Sequence, residues 1–412
     1  MTRKAVIVGA GIAGLATALR LHRIGWDTLI VERAPAPRTG GYAVTFAGLG
    51  YDAAEQLGIL PELAARHITP DEMIYIRPDG RTRFSVPGPT VRAMLGGRAL
   101  NLMRGDIEHV LYGHVRDHTQ IRFGTSLTRV EQDGGQVTAT LSDGTTETAD
   151  LLIGADGLHS ATRALVFGPE QRYRLDLGHM TGAYLMDRRP ERVPAGVTAT
   201  LTVTGRTLAI ISLGSDHSGQ AQAAAFFAYR TRQVARDLAD GPRTALPRVY
   251  GDLGWAAPDA LAGLATAESV YFDTISQIVL PRWSAGRVAL VGDAAWCVTL
   301  FAGYGSSLAV GGAYRLGTHL AQAGDVPAAL AAWENELRPE VLKKQRLGRR
   351  VKGLYAPADP FRLWLRDLPL RTSAWPPVGH LLQRRLQLKA EPAGSCRTGP
   401  RGPPVLHPSG PW

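Results

Sequence analysis

An α/β fold, with a Rossmann-like sheet, an inserted antiparallel sheet and C-terminal helices, is predicted by three features of this 412-residue chain. A glycine-rich turn, Gly9-Ala10-Gly11-Ile12-Ala13-Gly14, stands between the apolar run "AVIV" and the helical stretch "LATALRLHRIG". Two later apolar runs, "DLLIGADG" ending near Asp156 and "RVALVGDAA" ending near Asp293, also stop at acidic glycine turns. Between those two lies a Thr-rich stretch whose side chains alternate as in a half-buried strand.

The elements follow in chain order. Leu15, Leu19 and Leu21 share one helical face, Gly25 suits the helix end, and "TLIVE" returns as a second strand. The continuous apolar runs before Asp156 and Asp293 read as buried strands of a parallel sheet. From Val197 to Val203 small or apolar residues alternate with Thr198, Thr200 and Thr202, and Gly205-Arg206 turns the chain into "TLAIISL", a hairpin. The first domain is therefore discontinuous, at residues 1–72, 98–175 and 273–330, with 73–97 and 176–272 forming the inserted substrate domain. Residues 331–390 form a C-terminal helical segment, and the Pro/Gly-rich 391–412 is expected to be a disordered tail.

Composition narrows the function. At 45% hydrophobic and 20% charged residues the chain can bury a large core across two or three domains. Its two cysteines, Cys297 and Cys396, have no CxxC spacing, which excludes a disulfide scaffold and a cysteine-built metal site, and no metal is expected. The stretch Ala5–Leu19 is interrupted by three glycines and is too short to span a bilayer, so a cytoplasmic location without a membrane span is expected. The formal charge of +10 comes from scattered basic residues, with modest concentration at Leu342–Arg350, read as a solvated helix face. No nucleic-acid module is present, and the excess charge favours the approach of small anions.

The first glycine turn carries a definite chemistry. Gly9 permits the tight turn, Gly11 lets a pyrophosphate approach, and Gly14 lets helix and strand pack, with Ala13 between them in the first helical turn. The helix N-terminus supplies N–H donors and partial positive charge to the phosphates. Glu32, ending the second strand, is placed to accept hydrogen bonds from a ribose with a free 2′-hydroxyl, as in FAD or NAD, and Arg33 packs on the adenine.

With "GAGIAG" and Glu32, "GADGLHSATR", and "LVGDAA" followed by "GYG" in this order, the chain resembles the single-component FAD-dependent aromatic hydroxylases, the para-hydroxybenzoate hydroxylase-like monooxygenases, over about Lys4 to Leu365. The resemblance implies that Asp293 hydrogen-bonds the ribityl chain of FAD. Backbone amides from Gly303 through Gly305 and Ser306 to Ser307 would face the flavin pyrimidine. It further implies Arg104 on the ribityl or phosphates, Arg38 and Gly41 beside FAD or a visiting nicotinamide, and Leu127 in the cofactor set. Asp156 and Arg163 would contribute to FAD or pyridine nucleotide, although Asp156 equally suits a helix cap. Asp273 and Gln277 stand at the domain interface, where plain structural hydrogen bonding is the favoured reading.

The implied reaction uses NADPH or NADH and O2 to hydroxylate an aromatic or polyketide-like small molecule through a flavin C4a-hydroperoxide, in a monomer or homodimer. A cyclase or rearrangement enzyme that keeps FAD without net oxidation is the alternative. His179, Tyr184, Tyr229 and Tyr271 are polar groups of the inserted sheet read as structural, so no catalytic base is assigned. The family usually carries GDAAH, then a proline, then G-x-G-x-N, where this chain has Trp296, Leu300 and Ser307.

Overall fold

In the computed structural model, which describes residues 2–37, 42–215, 221–300 and 303–372, the apolar runs form a six-stranded sheet. Its spatial order is Ser284–Ala285, Val288–Leu290, Leu151–Gly154, Lys4–Val8, Asp27–Glu32 and Gln120–Phe123. All pairs are parallel except the antiparallel edge strand Ser284–Ala285. Its central strands are buried on both faces, which is why they read as unbroken apolar sequence. Ala5 and Ile7 join the core under the Ile12–His22 helix, while Val6 and Val8 join the opposite one.

The chain leaves Lys4–Val8 toward one edge and later returns on its other side with Leu151–Gly154. The strand order therefore reverses between these two strands. Ligands of open α/β sheets bind outside the carboxyl ends of the strands at such a switch point. Gly9, Arg33, Ala155 and Gly292 all emerge at that edge.

A second, seven-stranded sheet runs Tyr271–Ile278, Arg174–Met186, Ala221–Arg230, Arg206–Ser215, Val197–Val203, Glu72–Ile76 and Thr82–Pro87. The expected hairpin is there, turned at Gly205 with φ +79°. Helices Pro242–Tyr250 and Ala257–Thr266 cover one face and bury Leu246, Tyr250 and Leu264 against Phe227 and Tyr184. From sequence, residues from 273 onward read as part of the discontinuous first domain; the strand Tyr271–Ile278 sits in the seven-stranded sheet, pairing antiparallel with Arg174–Met186. It is buried from Asp273 to Ile278, so its side chains do not alternate in polarity and its sheet could not be told from sequence.

Helices Gly305–Gln322 and Val326–Tyr355 back the first sheet. The second is capped by Asp325, whose carboxylate accepts from Ala328 N at 3.1 Å. Trp283, Trp296 and Trp333 interlock, with ring centroids 4.6 to 5.8 Å apart. Trp296 thus fills the core in place of the family's histidine, and Gly312 has no side chain because a Cβ there would sit 2.9 Å from its ring. No helix among the described residues is long and apolar enough to cross a membrane, and none of their acidic, Cys and His groups cluster as a metal site. Arg38, Gly41 and the expected tail 391–412 lie outside the described residues.

Candidate active site

The glycine turn is built from three different constraints. Gly9 has φ +106°, and a Cβ on it would lie 2.7 Å from the Ala155 carbonyl oxygen. A Cβ on Gly14 would lie 1.9 Å from the Gly9 carbonyl oxygen, so helix and turn touch there backbone to backbone. Gly11 is not packed: the nearest atoms to its missing Cβ are side-chain tips of Glu108 at 3.5 Å and Arg104 at 3.8 Å. The space above Gly11 is left open, and the helix beginning at Ile12 has no side-chain cap, so its first-turn donors lack a side-chain acceptor.

Glu32 marks one end of the cleft. Its Oε2 accepts from Ala10 N at 2.7 Å and its Oε1 from Ala34 N at 2.8 Å. Held in place, the carboxylate retains lone pairs for ligand hydroxyls. Gly9, Gly11, Arg33, Leu127 and Asp156 line the same chamber.

A second chamber shares Gly11, Arg104, Ala155 and Gly157 with the first, so the two form one continuous cleft. Asp293 lies on its wall, open to water through the cleft. The surrounding protein desolvates the carboxyl and raises its pKa, opposed by the nearby Arg104 guanidinium. Gly292 before it has φ +62°, and a Cβ there would meet Ala13 at 2.7 Å, which binds this loop to the first glycine turn. The Gly305–Gln322 helix points its uncapped N-terminus into the chamber, where Gly303, Gly305, Ser306 and Ala13 contribute. Ser307, 2% exposed, turns its side chain away from the chamber, its Oγ accepting from Ala47 N at 3.0 Å and fixing the neighbouring strand, which leaves its backbone amide in the first turn of the helix.

Arg104 is the lysine-or-arginine group common to both chambers among the described residues. It is aimed by Glu108 one helical turn on, with Nη2–Oε1 2.6 Å and Nη1–Oε2 3.2 Å. The i,i+4 spacing within "RGDIEH" was the available signal for Glu108. Tyr42, by contrast, had no sequence signature. Its ring meets Tyr271 of the seven-stranded sheet at 5.0 Å between centroids and a 47° tilt, and burial raises both phenol pKa values, so both hydroxyls stay protonated at neutral pH.

The second acidic turn is largely structural. Asp156 accepts from Thr162 N at 2.9 Å and Thr162 Oγ1 at 3.0 Å, and Ser160 caps the helix beginning at Ala161 by accepting from Arg163 N. The N-cap is thus Ser160, with Asp156 bracing the first turn beside it while also bordering the cleft. Arg163 is fully buried and donates to Leu158 O at 2.7 Å, Ala294 O at 3.0 Å and Glu170 Oε2 at 2.8 Å. It therefore clasps the two acidic turns together and is closed to any visiting nucleotide, a correction to the expectation from sequence.

His159, in the same motif, bridges the two sheets: Nε2 lies 3.1 Å from Asp273 Oδ2 and Nδ1 3.1 Å from Glu170 Oε1. Asp273, then Glu170, raise its pKa against the effect of burial. A group whose folded pKa is raised adds stability below its unfolded value, about 6.5, and loses it as pH rises through the folded value. Melting curves across pH should accordingly show wild type more stable than His159→Gln in acid, the difference vanishing in alkali. Parallel curves would remove this bridge from the account.

Elsewhere on the seven-stranded sheet the polar candidates are internal. Gln277 is fully buried, donates to Val298 O and Gln345 O, and accepts from Arg349 Nη1 at 2.6 Å. His179, Tyr184 and Tyr229 are buried away from the cleft, while Tyr271 lines it. Beyond Tyr271 and Thr274 the chamber meets Leu300, which packs, as do Phe226 and Val351, against the buried cluster of Leu177, Ala228 and Ile275.

The donor set can be tested against a dinucleotide. An open space over Gly11, two uncapped helix N-termini, one shared arginine and carboxylates at both ends match a pyrophosphate flanked by hydroxyl-bearing groups. Comparison with known proteins agrees. The profile described as FAD binding domain matches residues 2–339. A flavin-dependent monooxygenase from an unknown prokaryotic organism is 30% identical over 348 residues, 84% of this chain and 88% of that protein. The crystal structure of tetracycline destructase Tet(51) superposes with TM-score 0.81 at 25% identity, covering 96% of this chain and all of the other. Klebsiella pneumoniae HpxO, solved with FAD and uric acid, shares the fold at TM-score 0.75 and 24% identity, covering 93% of this chain and 97% of that one.

Proposed function

The chain belongs to the FAD-binding-domain family of flavin-dependent monooxygenases and is an FAD-dependent oxidoreductase, and from that premise we propose that it hydroxylates an aromatic or polyketide-like small molecule with NADPH or NADH and O2. Bound FAD supplies hydride acceptance from the nicotinamide and activation of O2, one oxygen atom entering the substrate and the other leaving as water. The observation carrying the proposal is the single cleft that runs from Glu32 over Gly11 to Asp293 and opens on the seven-stranded sheet.

In this reading Glu32, Arg33 and Leu127 hold the adenosine, and Gly11 with the first helical turn and Arg104 hold the pyrophosphate. Asp293 accepts from the ribityl hydroxyls. The N–H groups at the start of the Gly305–Gln322 helix face the flavin pyrimidine and favour negative charge there. The substrate lies against Tyr271, Thr274 and Leu300, with the apolar cluster of Phe226 and Val351 excluding water. The named activity of the Tet(51) relative supports a polycyclic, polyketide-like substrate.

Purified protein is expected to be yellow and to consume NADPH or NADH with oxygen uptake stimulated by such a substrate. A colourless protein that takes up no FAD overturns the proposal. Product formed without nicotinamide oxidation would instead establish cyclisation or rearrangement.

Leu300 offers a sharper test of the wall. Thr299 before it holds φ +87°, and a proline at 300 drives its predecessor toward extended backbone. Leu300→Pro should reset this loop and raise peroxide released per nicotinamide oxidised by about twofold or more. Unchanged coupling would show that the loop does not govern oxygen use.

A further inference from the structure

The Pro360–Thr372 helix is docked with its charged side inward. Asp367, 1% exposed, pairs with Arg83 Nη1 at 2.8 Å and with Arg366 Nη2 at 2.7 Å. Arg366 also donates to Thr202 Oγ1 at 3.1 Å and to the Leu354 carbonyl at 3.2 Å, which ties this helix to the end of the Val326–Tyr355 helix. The opposite face carries Phe361, Trp364 and Leu365, at 68%, 46% and 52% exposure, spaced i, i+3 and i+4 so that they form one stripe. The rings of Phe361 and Trp364 stack at 6.0 Å. Leu347 and Leu354 on the preceding helix are also exposed.

Charge around the stripe has one sign. Residues 341–372 contain nine lysines and arginines and two aspartates. Asp367 is buried in its ion pairs, and Asp359 is engaged by Arg362 at 3.4 Å. Lys343, Arg346, Arg350, Arg362 and Arg371 are exposed. A helix of 13 residues is too short to span a bilayer. Aromatic and leucine side chains flanked by arginines match a headgroup boundary, where apolar groups enter the acyl layer and cations meet anionic lipid.

We propose that the outer face of the Pro360–Thr372 helix, with the cationic last turns of the Val326–Tyr355 helix, docks the protein on an anionic lipid surface. The full flavin-loaded chain should float with vesicles of phosphatidylcholine containing about a third phosphatidylglycerol, and not with phosphatidylcholine alone. Raising salt from about 0.1 M to about 0.5 M should weaken binding severalfold. The exposed pair Phe361→Ser and Trp364→Gln should weaken it by about tenfold or more while flavin content and melting temperature stay unchanged. The proposal is overturned if the wild-type chain does not float with anionic vesicles, or if the double variant binds as well as wild type. It is equally overturned if the stripe instead holds a second copy, seen as a dimer that the double variant splits in a chain that ignores vesicles. None of these outcomes depends on the substrate assay, so this proposal and the hydroxylase reading can fail separately.

Discussion

Gly14→Ala is expected to yield no folded flavoprotein, whereas Gly11→Ala folds normally and loses FAD. The two glycines are three residues apart in one motif, but only Gly14 meets backbone: its Cβ would stand 1.9 Å from the Gly9 carbonyl oxygen, and neither the turn nor the helix can withdraw. Overpacking between two backbones should cost about 3 kcal/mol or more, a large share of a typical domain's stability of about 5–15 kcal/mol. At Gly11 a methyl group meets nothing closer than 3.5 Å, so the apoprotein tolerates it. The same methyl group stands where phosphate oxygens must approach, and losing two charge-assisted hydrogen bonds of about 1.5 kcal/mol each weakens FAD about a hundredfold. Flavin absorbance after gel filtration, together with melting temperature, checks both. A soluble yellow Gly14→Ala protein, or a Gly11→Ala protein that retains FAD fully, would contradict the assigned roles.

Arg163→Met should destabilise the protein by about 3–5 kcal/mol even without any nucleotide, because it strips a buried cation from Glu170 and leaves the Leu158 and Ala294 carbonyls without their donor. Glu170 keeps Arg174 at 2.8 Å, which moderates the loss toward the lower end. Denaturant melts of the apoprotein measure it. If Arg163 were instead a contact for the pyridine nucleotide, apoprotein stability would stay near wild type and only nicotinamide affinity would fall.

Much of the cofactor end was readable because its constraints are local. Strand, GxGxxG turn, helix and a second strand ending in Glu32 occupy fewer than thirty consecutive residues, Lys4 to Glu32, and the roles of Gly9 and Gly14 follow from backbone geometry within that unit. The hairpin at Gly205 and the long helix after Asp325 were legible for the same reason, since alternation and helical periodicity are short-range patterns. The resemblance extended this to Asp293 and Arg104, which the structure places together across the cleft.

The substrate end was less legible. Its residues come from segments far apart in sequence, each with an ordinary local reading. Tyr42 meets Tyr271, and His159 meets Asp273, only because the fold brings the segment before Ala43 and the turn after Gly154 against the Tyr271–Ile278 strand. Ser307 and Arg163 stand in cofactor motifs, yet packing turns the first toward Ala47 and seals the second between two turns.

Sequence by itself thus determined the family, the Rossmann-like unit and the glycines that shape its turn, because those depend on neighbours a few residues away and on backbone sterics. Only the tertiary structure decided which motif side chains face the cleft, which are spent holding it together, and that the last described helix turns its apolar stripe outward. Those outcomes depend on buried contacts between distant segments, Arg83 with Asp367 and Arg163 with Ala294 among them, and burial is a property of the assembled fold rather than of any stretch of chain.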